Sequence, residues 1–411
     1  MSASPPRVRV IPIVPAGQRG LIAGASTQLS TQLSALPPLS LYVHFPWCVK
    51  KCPYCDFNSH EARGAIPEAD YVQALITDLE SALPAVWGRH VISIFIGGGT
   101  PSLLSPQSVD VLLSAVRARL PLQADAEITI EANPGTVDVE RFAGYRGAGV
   151  NRLSLGVQSF NPRHLVALGR IHDGDQARRA VEAALKHFDN LNLDLMYALP
   201  EQSLAEAQSD LRTAASFGTP HLSAYHLTLE PNTPFFHQPP KLPESDLAAD
   251  MQDMVEETLA ESGFQHYETS AFARPDMRCR HNLNYWLFGD YIGIGAGAHG
   301  KISHPTRISR EMRQRHPQAY LKSVAEGMPV QEGHDVAATA LPFEFMMNAL
   351  RLVDGFPARL FTERTGLALS AISAELKAAE ARGLLSVTAE RIAPTELGRR
   401  FLNDLLQIFL R

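Results

Sequence analysis

Cys48, Cys52 and Cys55 fall within eight residues of one another, spaced C-x3-C-x2-C in the run WCVKKCPYCDF. Thiolates are soft ligands, suited to zinc or to iron–sulfur clusters. Three of them on one short loop cap three irons of a cubane and leave the fourth iron without a protein ligand. An open iron is what a chelating small molecule needs. Structural zinc takes four ligands in a closed site, and His44, His60 or the distant Cys279 would have to complete it here. A disulfide with one spare thiol belongs to an oxidising compartment. Covalent c-type heme requires C-x-x-C-H, whereas Asp56 follows Cys55. The spacing favours the cluster.

A second set of polar residues closes short apolar runs. Gly97-Gly98-Gly99-Thr100 follows Val91–Ile96. Glycines there bring backbone N–H and C=O groups close to a ligand that side chains would hold off. No G-K-[ST] follows, so the turn is not a P-loop, and a plain tight turn is the bland reading. Glu131, Gln158 and Asp194 end three further runs. A carboxylate at such a place needs a partner, in a ligand or in a structural ion pair.

The elements that must hold these residues follow from periodicity. Strands are predicted at Leu41–Phe45, Val91–Ile96, Glu127–Glu131, Arg152–Gln158, Leu191–Met196 and Leu222–Leu227. Helices are predicted over 68–83, 106–119, 138–146, 174–187, 203–216 and 245–262. This alternation means βαβ units and a parallel sheet with right-handed crossovers. Six units are fewer than the eight of a closed (β/α) barrel, so the fold class is α/β, as a partial barrel or a doubly wound sheet. In either, the C-terminal strand edge carries the site, and that is where the glycine turn, Glu131, Gln158 and Asp194 fall. After about residue 265 the rhythm breaks into an aromatic, His- and Gly-rich stretch. From 335 onward, helices over 340–352, 357–365 and 369–383 precede a Leu385–Val387 and Arg391–Pro394 pair, which predicts a small winged-helix-like domain. The divisions are 1–38, a poorly ordered extension; 39–265, the barrel; 266–334, a segment packing on it; and 335–411, the C-terminal domain.

Bulk properties restrict the setting. A chain of 411 residues that is 45% apolar and 19% charged has a large core. A net charge of −6 argues against broad nucleic-acid binding. No apolar run reaches the length of a membrane span, about 18 residues. The N-terminus lacks the apolar stretch of a signal peptide, and clustered cysteines point to a reducing, cytoplasmic location.

C-x3-C-x2-C with Tyr54 before the last cysteine resembles the signature of the radical S-adenosylmethionine superfamily. LYVHFPWC, IFIGGGTPS, IEANP, SLGVQSF, LGRIH and DLMYALP are similar to its branch containing oxygen-independent coproporphyrinogen III oxidase. The resemblance covers about residues 40–410. It implies a partial (β/α)6 barrel and a [4Fe-4S] cluster on the three cysteines. It implies S-adenosylmethionine on the open iron, cleaved by one electron to a 5′-deoxyadenosyl radical. It also implies that Gly98, Gly99 and Thr100 contact the methionine end of the cofactor and that Glu131 binds its hydroxyl or amino groups. Gln158, Arg170 and Asp194 match further cofactor positions, and Tyr42 and Tyr54 would supply packing and backbone contacts. Without the resemblance, Arg170 reads as a helix-surface residue and the tyrosines as core.

The chain departs from the oxidase pattern at Phe57, where that pattern has a further cysteine. CDFNSH, the run His281-Asn282-Leu283-Asn284-Tyr285-Trp286 and the Gly297-Ala298-His299 turn instead resemble heme chaperones within the same branch. That resemblance implies binding of heme and its delivery to acceptor proteins, with the cluster and cofactor in a supporting role. The alternative is radical decarboxylation of coproporphyrinogen III. His281, His299 and Cys279 are the candidate heme ligands, His and Cys being ordinary axial groups. The bland reading of the HNxxYW run is packing at the barrel mouth.

Overall fold

The computed structural model describes residues 31–137 and 139–410. Most of the N-terminal extension, 1–30, lies outside the described residues. The six expected strands are present as β1 (Leu39–Phe45), β2 (Val91–Gly98), β3 (Leu122–Ala132), β4 (Arg152–Gln158), β5 (Leu191–Tyr197) and β6 (His221–His226). Each is parallel to the next. Helices Glu68–Val86, Pro106–Arg119, Val139–Ala148, Gly174–Leu185 and Leu204–Ser216 connect them. Ser105 caps its helix with Pro106 at the first position, and Asp173/Gln176 and Ser203/Glu206 form capping boxes. The strand faces carrying Leu41, Val43, Ile94, Ile96, Ile130, Leu153, Leu155, Leu191 and Leu193 are fully buried in one continuous core.

The stretch from 266 to 334 does more than pack on the barrel. It contributes to the same sheet, which has twelve strands among the described residues. Beyond β6 lie Ala271–Ala273 and Gln265–Glu268, both antiparallel. On the other side Asp290–Ile294 adds a seventh parallel strand against β1, and His299–His304, Arg307–Arg313 and Val330–Asp335 follow antiparallel. The arginine-rich run Arg307–Arg313 is thus a strand. Arg313 turns inward to a buried ion pair with Asp78 (3.0 Å), whose Oδ2 also accepts from Gly295 N–H and the Tyr320 hydroxyl. Strand propensity was hidden there by alternating charge.

The C-terminal region has its own core around Phe345, Phe356, Phe361, Leu376 and Ile392. Leu341–Ala349, Ala358–Thr365 and Ser373–Ala381 are helical. The expected strand pair is joined by a third short strand, Phe356–Pro357. Residues 31–38, read as part of a loose extension, are held: Leu33 is buried in this core and its N–H donates to the Pro305 carbonyl oxygen (2.8 Å). Among the described residues no helix is long and apolar enough to cross a membrane.

Candidate functional site

Parallel register places the polar strand-end residues side by side. Glu131 is level with Ser154, Ser154 with Asn192, Gly156 with Asp194, and Asp194 with Ser223. Because side chains alternate across a strand, these groups share the inner face. They line a cavity of about 690 Å³. The same cavity is lined by Tyr42, Cys48, Cys52, Tyr54, Cys55, Gly98, Gly99, Thr100, Gln158, Arg170 and His281. The cysteines and every residue assigned to the cofactor therefore meet in one place.

The cysteine loop is fixed from two sides. On one, Gly99 N–H donates to the Phe45 carbonyl oxygen (2.7 Å) and Thr100 N–H to that of Trp47 (2.8 Å). A Cβ on Gly99 would lie 2.6 Å from the Trp47 oxygen and 3.1 Å from Cys48 Sγ, so only glycine fits beneath the loop. Gly98 has φ +119°. On the other side, Asn58 Nδ2 donates to the carbonyl oxygens of Ala296 (2.9 Å) and Arg315 (2.8 Å). This joins the CDFNSH run to the Gly-rich turn, two motifs more than 200 residues apart. Burial raises the Cys48 and Cys55 thiols above their ordinary range. Arg170 supplies positive charge, with Nη1 3.7 Å from Cys52 Sγ. Three thiols lining one cavity, a glycine cradle and an adjacent guanidinium fit an iron–sulfur cluster on Cys48, Cys52 and Cys55.

The deep wall is acidic. Glu131 Oε2 accepts from Gly98 N–H (3.0 Å). Burial, and then the Asp194 carboxylate, push Glu131 up to about 8. Asp194 is also raised by burial; it accepts from Ser154 Oγ (2.9 Å) and Asn192 Nδ2 (2.8 Å). Two neighbouring carboxyls that share one guanidinium, Arg152, fit a ligand bearing ammonium and sulfonium charge, as S-adenosylmethionine does. Gln158 sits at φ +68°, a strained geometry for a side-chain-bearing residue at the cavity rim.

Of the three candidate heme ligands, His281 alone lines this cavity. Its Nδ1 is 3.0 Å from Ser93 Oγ, its ring stacks on Phe95 at 5.0 Å, and its Nε2 has no partner. Burial lowers it to about 3, so the imidazole is neutral. Cys279 is fully buried, with its thiol 3.5 Å from Glu127 Oε1, and burial raises it to about 12. His299 opens a sheet strand and is exposed. Sequence reasoning missed Arg152, Ser154, Asn192, Ser223, Tyr225 and Phe95 in the lining. The signal for Ser154 and Asn192 was present: on otherwise apolar strands Asn192 stands two residues before Asp194 and Ser154 four before Gln158, on the same face.

Comparison with known proteins agrees with this geometry. The radical SAM superfamily model matches residues 42–214, and a HemN C-terminal domain model matches 336–401. The Escherichia coli heme chaperone HemW is 53% identical over 380 residues, spanning 91% of this chain and 99% of that protein. This chain belongs to the HemW family. The Haemophilus influenzae member is 47% identical over 91% of this chain and 98% of its own length. The solved structure of Escherichia coli coproporphyrinogen III oxidase (HemN), described as a radical SAM enzyme, superposes with a TM-score of 0.78 at 26% identity. It covers 91% of this chain and 90% of that one. This chain thus shares its overall architecture with the oxidase.

Proposed function

We propose that this protein is a cytoplasmic heme chaperone that binds heme and hands it to acceptor proteins. In this reading it carries a [4Fe-4S] cluster on Cys48, Cys52 and Cys55, with S-adenosylmethionine against Gly98, Gly99, Thr100, Glu131, Gln158, Arg170 and Asp194. The division at 39–265, 266–334 and 335–411 belongs to the same proposal. The observation that carries it is His281: a neutral imidazole among the cavity's lining residues, hydrogen-bonded through Nδ1 to Ser93, whose buried Nε2 has no protein partner. Phe95, Tyr285 and Trp286 line the cavity around it and offer a porphyrin an apolar surface. The similarity to curated heme chaperones supports it further. His299 and Cys279 are the weaker ligand assignments, one exposed and one committed to Glu127.

When bound, the cluster and cofactor supply one-electron chemistry. This chain's residues hold and orient that pair. The glycine turn would offer backbone groups to the cofactor, Arg170 faces Cys52, and Glu131 and Asp194 would offset the cofactor's positive charge. The second reading, radical decarboxylation of coproporphyrinogen III, is favoured by the shared architecture with the oxidase. Anaerobic reconstitution followed by two assays separates them. The chaperone binds heme at about one per chain, forms no protoporphyrinogen from coproporphyrinogen III and releases its heme to an acceptor. Robust porphyrinogen turnover would overturn it.

A further inference from the structure

Glu127 belongs to neither the cluster nor the cofactor set, yet it holds the helix that carries His281. Its Oε2 accepts from Arg280 N–H (3.1 Å), and its Oε1 accepts from His281 N–H (3.0 Å) and the Cys279 thiol (3.5 Å). These are the first groups of the helix Arg280–Trp286, and Glu127 is 5% exposed. Such a buried carboxylate needs a counter-charge. Arg152 provides it, 2% exposed, with Nε 4.0 Å from Glu127 Oε2 and no hydrogen-bond partner on that nitrogen. Arg152 also lines the cofactor cavity and interacts through space with Asp194 and Glu131. One guanidinium is therefore shared between the helix clamp and the two cofactor carboxyls.

We propose that Glu127 is a positioning residue for the His281 helix and that Arg152 couples its grip to occupancy of the cofactor cavity. A cationic ligand beside Glu131 and Asp194 repels Arg152 and takes over part of their negative charge, which shifts Arg152 toward Glu127. The carboxylate that orients the helix is then more firmly held. Such coupling is reciprocal: loosening the clamp weakens cofactor binding. The inference rests on the cofactor assignment above and not on heme.

Amide hydrogen exchange of the full-length, cluster-reconstituted protein tests it, with and without S-adenosylmethionine. In the unmodified protein the cofactor should slow exchange over 280–286 by about fivefold or more. E127Q should speed exchange there, abolish the response and weaken cofactor affinity several-fold. D125A, which removes only the exposed Arg280 side-chain pair, should keep the response. If E127Q fails to fold, R152Q carries the test, because it cuts the link while leaving the Glu127 hydrogen bonds. Protection of 97–100 by the cofactor with none over 280–286 would overturn the coupling while sparing the cofactor site. Protection at neither would overturn both.

Discussion

Arg170 Nη1 lies 3.7 Å from Cys52 Sγ while Nη2 of the same guanidinium donates to the Gly156 carbonyl oxygen at 2.7 Å. A strand end of the barrel thereby aims a permanent positive charge at a cluster thiol. Hydrogen bonds to charged groups contribute about 1.5–3 kcal/mol. Arg170→Ala should therefore release iron to a chelator at least about tenfold faster than the unmodified protein. Arg170→Lys keeps the charge without the two-pronged anchor and should fall between. Identical release kinetics in all three would remove Arg170 from the site.

The four cysteines divide into two kinds. Cys48, Cys52 and Cys55 line the cavity, whereas Cys279 is fully buried against Glu127. Replacing any one of the first three with Ala should abolish the cubane signal after reconstitution. Cys279→Ala should leave iron and sulfide content unchanged. Full iron and sulfide in Cys52→Ala would contradict the three-thiolate assignment.

Glu131 gives a pH signature with a defined sign. Burial and Asp194 raise it from 4.5 to about 8 in the folded chain. The folded state then binds more protons than the unfolded one between those limits, so stability falls as pH rises through that window and levels off above it. E131Q cannot ionise and loses this decline. In the cofactor-free protein, the Tm of the unmodified chain should drop relative to E131Q as pH is raised from about 5 to about 8. S-adenosylmethionine, by favouring the ionised carboxylate, should shrink the difference. Parallel Tm curves would show that Glu131 is ionised throughout.

The barrel was legible because each strand carries one unbroken apolar face and several of its helices carry caps; Arg152–Gln158 and Pro106–Arg119 run as periodicity predicts. Site positions were legible for a related reason, since a polar residue ending an apolar strand has few structural uses. What the sequence hid was the second half of the sheet. Arg307–Arg313 carries charges whose partners include Glu344 for Arg310 and Asp78 for Arg313, 34 and 235 residues away, so charge masks its strand pattern. Arg152 was hidden in the same way: it opens a strand, and only the fold shows it facing Glu127 and Asp194 together.

The clasp between Asn58 and the Gly-rich turn offers the most direct test of why CDFNSH and Gly297-Ala298-His299 occur in one chain. Asn58 gives both amide hydrogens to backbone, at Ala296 and Arg315, and a Cβ on Gly297 would stand 2.3 Å from its Nδ2. Gly297 also has φ +80°, where a side chain adds strain of its own. Asn58→Ala removes two hydrogen bonds, about 1 kcal/mol each, from the segment directly after Cys55. Gly297→Ala should displace the same amide from the other side. Both variants should fold, load the cluster and then lose it to air or chelator several-fold faster than the unmodified protein, with little change in Tm after cluster loss. Asn58→Asp, which keeps the shape but turns donors into acceptors facing two carbonyl oxygens, should be worse than Asn58→Ala. A cluster half-life unaffected by any of the three would mean that the loop is held by the Gly98-Gly99 side alone.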